Sequence, residues 1–175
     1  MSQSGSFVEE QISIFMSLAS DIVPFPRDIS KCTALNASPY VVPMELFTST
    51  FGTSSHRINY IDRLIKLIDS ASKHGVEIVA LLVGGSFLVR TNEFPKDLDG
   101  ILFYSMRPGM GPSTIELNEL WQIARGNSLD VRFVPYDANP IIALKACSFF
   151  SLLYCRTRKS AELSRGCVMV YPPYL

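Results

Sequence analysis

With 175 residues, 47% of them apolar and 18% charged, the chain is long enough for one packed core and too hydrophobic to be disordered over most of its length. Its 16 basic and 16 acidic residues cancel, so no overall field draws it to nucleic acid or to an anionic membrane. No apolar run reaches the roughly 18 residues that span a bilayer, and Glu9 and Glu10 stand where a secretory leader is basic, so a cytoplasmic protein with no membrane partner is expected.

Residues 1–20 carry Phe7, Val8, Ile12, Phe15, Met16 and Leu18 in partly helical spacing, which predicts a short amphipathic helix. Pro24, Pro26, Pro39 and Pro43 interrupt residues 21–43, and an extended wrap over the domain is expected there. From His56 to His74, the positions Ile58, Ile61, Leu64, Ile65, Ile68 and Ala71 follow helical periodicity, with Ser54 or Ser55 as the cap and Gly75 as the stop. Val76–Val83 reads as a buried strand and Ile101–Tyr104 as its partner. A loop with Pro108, Gly109, Gly111 and Pro112 leads to a helix from about Ser113 to Ala124. Leu129–Pro135 is the third strand, Ile141–Tyr154 a helix and Val168–Tyr171 a last short strand. Helical spacing assigns Trp121 and the pair Phe149–Phe150 to the core.

The predicted fold class is α/β (α+β), a small mixed sheet with helices packed mainly on one face. Residues 1–50 are read as an N-terminal helix and wrap, and 51–175 as a single globular unit. Cys32, Cys147, Cys155 and Cys167 show no Cys-x-x-Cys spacing, and His56 and His74 are not placed to complete a zinc site, so free thiols acting as small hydrophobes are expected.

The chemistry-bearing stretch runs from Val83 to Phe103. Gly84-Gly85-Ser86 follows one apolar run; its glycines allow close backbone approach, and its N–H groups with the Ser86 hydroxyl suit phosphate oxygens. Asp97 and Asp99 head the next apolar run, and carboxylates at i and i+2 of an extended segment share a face, a geometry for a divalent metal. Taken alone, Pro95-Lys96-Asp97 is ordinary turn chemistry, and a lone Gly-Gly-Ser is a common strand-to-helix turn. Lys96, Arg90, Lys145, Arg156, Arg158, Lys159 and Arg165 are the cations available to a triphosphate, although each also reads as a solvated surface charge.

In its order of apolar strand, Gly-Gly-Ser, Asp-apolar-Asp and apolar strand, the chain resembles the DNA polymerase beta-like nucleotidyltransferase superfamily. That family carries a third carboxylate on a later strand, and Asp130 in Ser128-Leu129-Asp130-Val131 is the matching candidate. More narrowly, the chain is similar to a bacterial group of short, single-domain nucleotidyltransferase-like proteins, from about Val42 through Met44-Glu45-Leu46-Phe47 to the stretch Phe149–Arg156. Gly100 departs from the family pattern, in which a β-branched residue follows the acid pair.

The resemblance implies Mg²⁺ (or Mn²⁺) held by Asp97, Asp99 and Asp130, with a nucleoside triphosphate bound at Gly84, Gly85, Ser86 and Lys96. The implied reaction is transfer of a nucleoside monophosphate to an acceptor hydroxyl, on a protein, an RNA end or a small molecule, with release of pyrophosphate. A toxin–antitoxin or phage-defence setting goes with the short members of the superfamily. The chain has no room for the second domain that larger members use, so the N-terminal fifty residues, a homo-oligomer or a partner protein is expected to complete the site. The alternative is a catalytically silent nucleotide-binding regulatory module, and a hydrolase or cyclase shares the same metal logic.

Overall fold

The computed structural model describes residues 3–18, 22–109, 114–157 and 160–172. Five strands form one mixed sheet in the order β1-β7-β2-β3-β4: β1 (Tyr40–Pro43), β2 (Val76–Gly84), β3 (Leu98–Met106), β4 (Leu129–Pro135) and β7 (Val168–Tyr171). β1 runs parallel to β7, β2 is antiparallel to both β7 and β3, and β3 is parallel to β4. β5 (Arg156–Thr157) and β6 (Ser160–Leu163) make a separate two-stranded hairpin. The helices are α1 (Gln3–Ser17), α2 (Met44–Phe51), α3 (Ser55–Lys73), α4 (Thr114–Gly126) and α5 (Pro140–Tyr154). An α+β fold with a mixed sheet is therefore what the molecule has.

Strand alternation divides the packing into two layers. Leu98, Leu102 and Tyr104 of β3 join Leu129 and Val131 of β4 and Leu81 and Val83 of β2 on the face covered by α1 to α4. Ile101 and Phe103 join Leu82 on the opposite face, where α5 packs through Ala143 and Tyr154. Most helices thus lie on one face, as the alternating and helical patterns predict.

α3 shows why the pattern reads so clearly. Ser54 caps it by accepting from the Arg57 N–H at 3.4 Å, and Tyr60, Ile61, Leu64, Leu67, Ile68 and Ala71 bury one stripe against β2. Ile58, expected in that stripe, is 44% exposed, because it lies at the stripe's margin near the helix start.

Two expectations are corrected. The stretch read as an extended wrap carries β1 and passes into α2, whose Phe47 and Phe51 are fully buried in the main core, so the division at residue 50 falls inside a core helix. Phe149 lies 57% exposed on α5 rather than in the core, and Trp121 is only partly buried. α1 packs on β1, the sheet edge opposite β4. Asp21, Gly111, Pro112, Ser113, Arg158 and Lys159 lie outside the described residues. Among the described residues, no helix is long and apolar enough to cross a membrane.

Candidate functional site

β2 ends at Gly84, and the chain turns through a single 3-10 turn, Gly85–Leu88, before returning as β3. Two glycines make this corner possible, each for its own reason. Gly84 is extended, but a Cβ there would lie 2.7 Å from Tyr154 Cδ2 and closer still to Tyr154 Cβ, so α5 sits directly on its backbone. Gly85 has φ +69°, and a Cβ there would meet Asp99, 2.9 Å from Cγ and nearer to Oδ2. The Gly-Gly pair is therefore shaped by its neighbours Tyr154 and Asp99.

Phe87 anchors the turn. It is fully buried, with Phe47 stacked at 6.2 Å and Tyr60 edge-on at 6.1 Å. Arg57 is equally buried and lies over the Phe87 ring at 4.5 Å. Its guanidinium donates to the carbonyls of Phe51 (2.6 Å), Asn92 (2.8 Å), Val89 (3.4 Å) and Phe87. The rest of the connection to β3 is pinned to the same helix: Ser54 Oγ donates to Glu93 O at 3.4 Å, His56 Nε2 meets Pro95 O at 3.0 Å, and Tyr60 OH donates to Lys96 O at 2.7 Å. One face of α3 thus sets the path of the segment between Ser86 and Asp97.

At the far end of this segment, Leu98 N donates to Ser128 O at 3.3 Å, and β3 and β4 begin side by side. Asp99 pairs in register with Gly84 on β2 and with Asp130 on β4. Register partners on adjacent strands project to the same side of the sheet, so Asp99 and Asp130 share the face that carries Tyr154 and α5. The charges record this proximity. Burial first, and then Asp99 and Asp130, push the Tyr154 phenol above its ordinary pKa, while Arg132 acts in the opposite sense. Arg132 is two residues beyond Asp130 on β4, on the same face, with its guanidinium 5.6 Å from the Phe150 ring.

The structure thus brings together Gly84, Gly85, Asp99 and Asp130, with Ser86 next in the turn. Asp97 stands one residue ahead of β3, so the i, i+2 rule for strands does not by itself aim it at Asp99. Lys96 is exposed, and its described contact is through the main chain. Arg90 and Arg156 are exposed, Arg165 is partly buried and Lys145 lies on α5. Among the described residues, no group of three or more His, Cys, Asp or Glu side chains is gathered as a metal site. The donors present are nevertheless hard oxygens on one face, and Mg²⁺ asks for only one or two protein carboxylates when substrate phosphates and water supply the rest. Asp99 and Asp130 fit that demand.

Sequence reasoning missed Tyr154, Arg132 and Arg57. For Arg132 the signal was present, since an i+2 partner of Asp130 on a strand must share its face. The cysteines are free, and two of them adjoin this region. Cys155, following Tyr154, lies 4.0 Å from Cys167 Sγ, and Ser38 Oγ donates to Cys167 O at 3.3 Å while accepting from Cys167 N at 2.8 Å. This ties the segment before β1 to the start of β7.

No curated protein and no solved structure matches the chain. A family model, described as a family of unknown function (DUF6932), matches residues 28–170, a span that begins ahead of β1 and reaches into β7, so that it takes in the turn, the acid pair and Tyr154. The chain belongs to that family.

Proposed function

We propose that this protein is a metal-dependent nucleotidyltransferase, moving a nucleoside monophosphate from a nucleoside triphosphate to an acceptor hydroxyl. The observation that carries the reading is the register of Asp99 with both Gly84 and Asp130, which sets two carboxylates of one face beside a glycine corner. Two carboxylates side by side on one face, with Arg132 beyond them, are hard oxygen donors of the kind a divalent cation takes together with phosphate. The order of motifs along the chain supports the same reading through its resemblance to the DNA polymerase beta-like superfamily.

In this reading Asp99 and Asp130 hold Mg²⁺ or Mn²⁺, and Asp97 completes the set from the approach to β3. The metal, when bound, supplies charge neutralisation for the triphosphate and makes the acceptor hydroxyl more acidic. The turn Gly84-Gly85-Ser86 offers main-chain N–H groups and the Ser86 hydroxyl to phosphate oxygens, with Lys96 and Arg132 as the nearby cations. Asp130, the more exposed acid, accepts the proton of the acceptor hydroxyl. The acceptor oxygen bonds to the α-phosphorus, the bond from that phosphorus to the bridging oxygen breaks, and pyrophosphate leaves with the electron pair.

The test is incubation of the purified chain with each α-labelled nucleoside triphosphate and Mg²⁺ or Mn²⁺, with and without cell extract, beside Asp99→Asn and Asp130→Asn. Label transferred to an acceptor, and reduced by a factor on the order of a hundred or more in each variant, is the expected result. Metal-dependent nucleotide binding without turnover would leave the silent regulatory module in its place, a new free nucleotide would mark a hydrolase or cyclase, and absence of both binding and turnover would overturn the site.

A further inference from the structure

Helix α5 is apolar on nearly every side, yet it buries few of its side chains. Lys145 is its only charged residue, and of its 15 residues only Ala143 and Tyr154 are buried. A helix that is apolar all round is normally enclosed all round. This one has the sheet on one side, while on the other Ile141 is 70% exposed, Leu144 64% and Phe149 57%, with Ile142, Leu152 and Leu153 near half.

At 100° per residue Ile141, Ile142, Phe149 and Leu152 share the side of α5 turned away from Ala143 and Tyr154, with Lys145 and Ser148 among them and Leu144 and Leu153 on its two flanks. Those four side chains present on the order of 500 Å² of surface, at the upper end of the largest patch on a typical monomer and more than half of the roughly 800 Å² that each partner buries in a standard interface. A lone exposed leucine needs no explanation, but a continuous face of this size does.

The surface next to it has a complementary shape. An apolar groove of about 700 Å³ runs between α5 and the sheet, lined by Phe103, Ala143, Cys147 and Met169, and Leu144 belongs both to this groove and to the flank of the exposed face. A ridge and a groove side by side on one surface meet the requirement of a two-fold interface, in which the same patch must fit itself. The charges at this surface are Lys145 on the helix and Asp137 in the groove lining, opposite in sign, so that pairing two copies does not bring like charges into a cluster.

We propose that the exposed face of α5 and the adjoining groove form a two-fold interface between two copies of this chain. The ridge of one copy enters the groove of the other, and the two α5 helices run antiparallel, as a two-fold axis across them dictates. This inference stands apart from the chemistry at Asp99 and survives its failure.

The experiment is sedimentation velocity on the full chain over a wide concentration range, with Leu144→Glu, Phe149→Glu and, as a control on α3, Ile58→Glu. Wild type and control should run at twice the chain mass and dissociate on dilution, while each α5 variant should weaken the dimer by ~30-fold or more, the threshold of a hot-spot residue. Should a variant misfold by circular dichroism, hydrogen exchange on wild type decides: amides of α5 should gain protection as concentration rises, and the α1 edge should not. A wild type that stays monomeric, whatever else the face then binds, overturns the proposal, as does a dimer indifferent to both substitutions or protection confined to another element.

Discussion

Gly85 and Asp99 occupy one another's space: the Asp99 carboxylate fills the position that a side chain at 85 would need, and Gly85 is held at φ +69°. The second glycine of the corner is therefore matched to the acid, not only to a phosphate. Gly85→Ala has to displace Asp99 and hold alanine in a left-handed conformation, which should cost about 1–3 kcal/mol of stability. Urea unfolding measures the stability, and isothermal titration with nucleotide and Mg²⁺ measures the site. Loss of binding beyond the loss of folded protein is the expected outcome; an alanine variant with wild-type stability and binding would show that the corner tolerates a side chain.

Arg57 does structural work for the same corner. Its buried guanidinium satisfies the carbonyls of Phe51, Phe87, Val89 and Asn92, which belong to α2 and to the segment that follows Ser86. Arg57→Met keeps an unbranched apolar stem and removes every side-chain donor. Each orphaned buried carbonyl costs about 1–3 kcal/mol, so a total of roughly 3 kcal/mol or more is expected. Arg57→Lys should recover only part, because an ammonium lacks the planar fork that reaches several acceptors at once. Denaturant midpoints for both variants, with faster amide exchange at residues 85–92, provide the check; a methionine variant as stable as wild type would remove Arg57 from this role.

The corner was legible in the sequence because its chemistry is local: Gly-Gly-Ser and Asp-Leu-Asp stand close together, and alternation fixes which face each residue takes. The pairing of Asp99 with Asp130 was legible only as an order of motifs, since the strand register that makes them neighbours is set by α4 crossing between β3 and β4. β1 was hidden for a different reason. It is a four-residue edge strand bounded by Pro39 and Pro43, and its hydrogen-bonding partner β7 comes at the other end of the chain. Tyr154 and Arg57 give no local signal, because a tyrosine closing an apolar helix and an arginine opening an amphipathic one are ordinary in either place. Phe149 misled by the same logic, since apolarity predicts burial without saying against which molecule.

Tyr40 makes the stability of the fold sensitive to alkali. Burial raises its phenol to about 12 from the usual 10.0, with smaller contributions from Cys32, Cys155 and Cys167. The unfolded chain releases this proton near pH 10 while the folded chain retains it, so the folded state binds more protons and loses stability as pH rises from about 10 to about 12. Relative to the stability below pH 10, the loss through this group reaches about 2.7 kcal/mol once pH passes about 12. Tyr154, Tyr104 and Tyr171 are raised as well, so the effect is read as a difference between wild type and Tyr40→Phe. Tyr40 Oη has no hydrogen-bond partner among the described residues, so phenylalanine should be neutral or stabilising at pH 7 and should flatten the decline above pH 10. Urea titrations from pH 7 to the alkaline limit test both parts. A variant that loses stability at pH 7, or that declines as steeply as wild type, would contradict the assignment.

Asp99 and Asp130 offer the sharpest separation of function from fold. Like charges in register on neighbouring strands oppose pairing, so Asp130→Asn should leave the metal-free protein as stable as wild type or slightly more so, while removing a donor for Mg²⁺. A ligand that binds only the native chain stabilises it by about 2.7 kcal/mol at roughly a hundredfold its dissociation constant. Wild type should therefore show a Tm that climbs with Mg²⁺ and nucleoside triphosphate, and Asp130→Asn a Tm that starts level or higher and stays flat. Asp130 is exposed and its neighbours Leu129 and Val131 hold β4 in the core, so the substitution leaves the strand itself intact. The opposite pattern, a variant less stable without metal and equally stabilised by it, would make Asp130 a structural acid and move the metal to other residues.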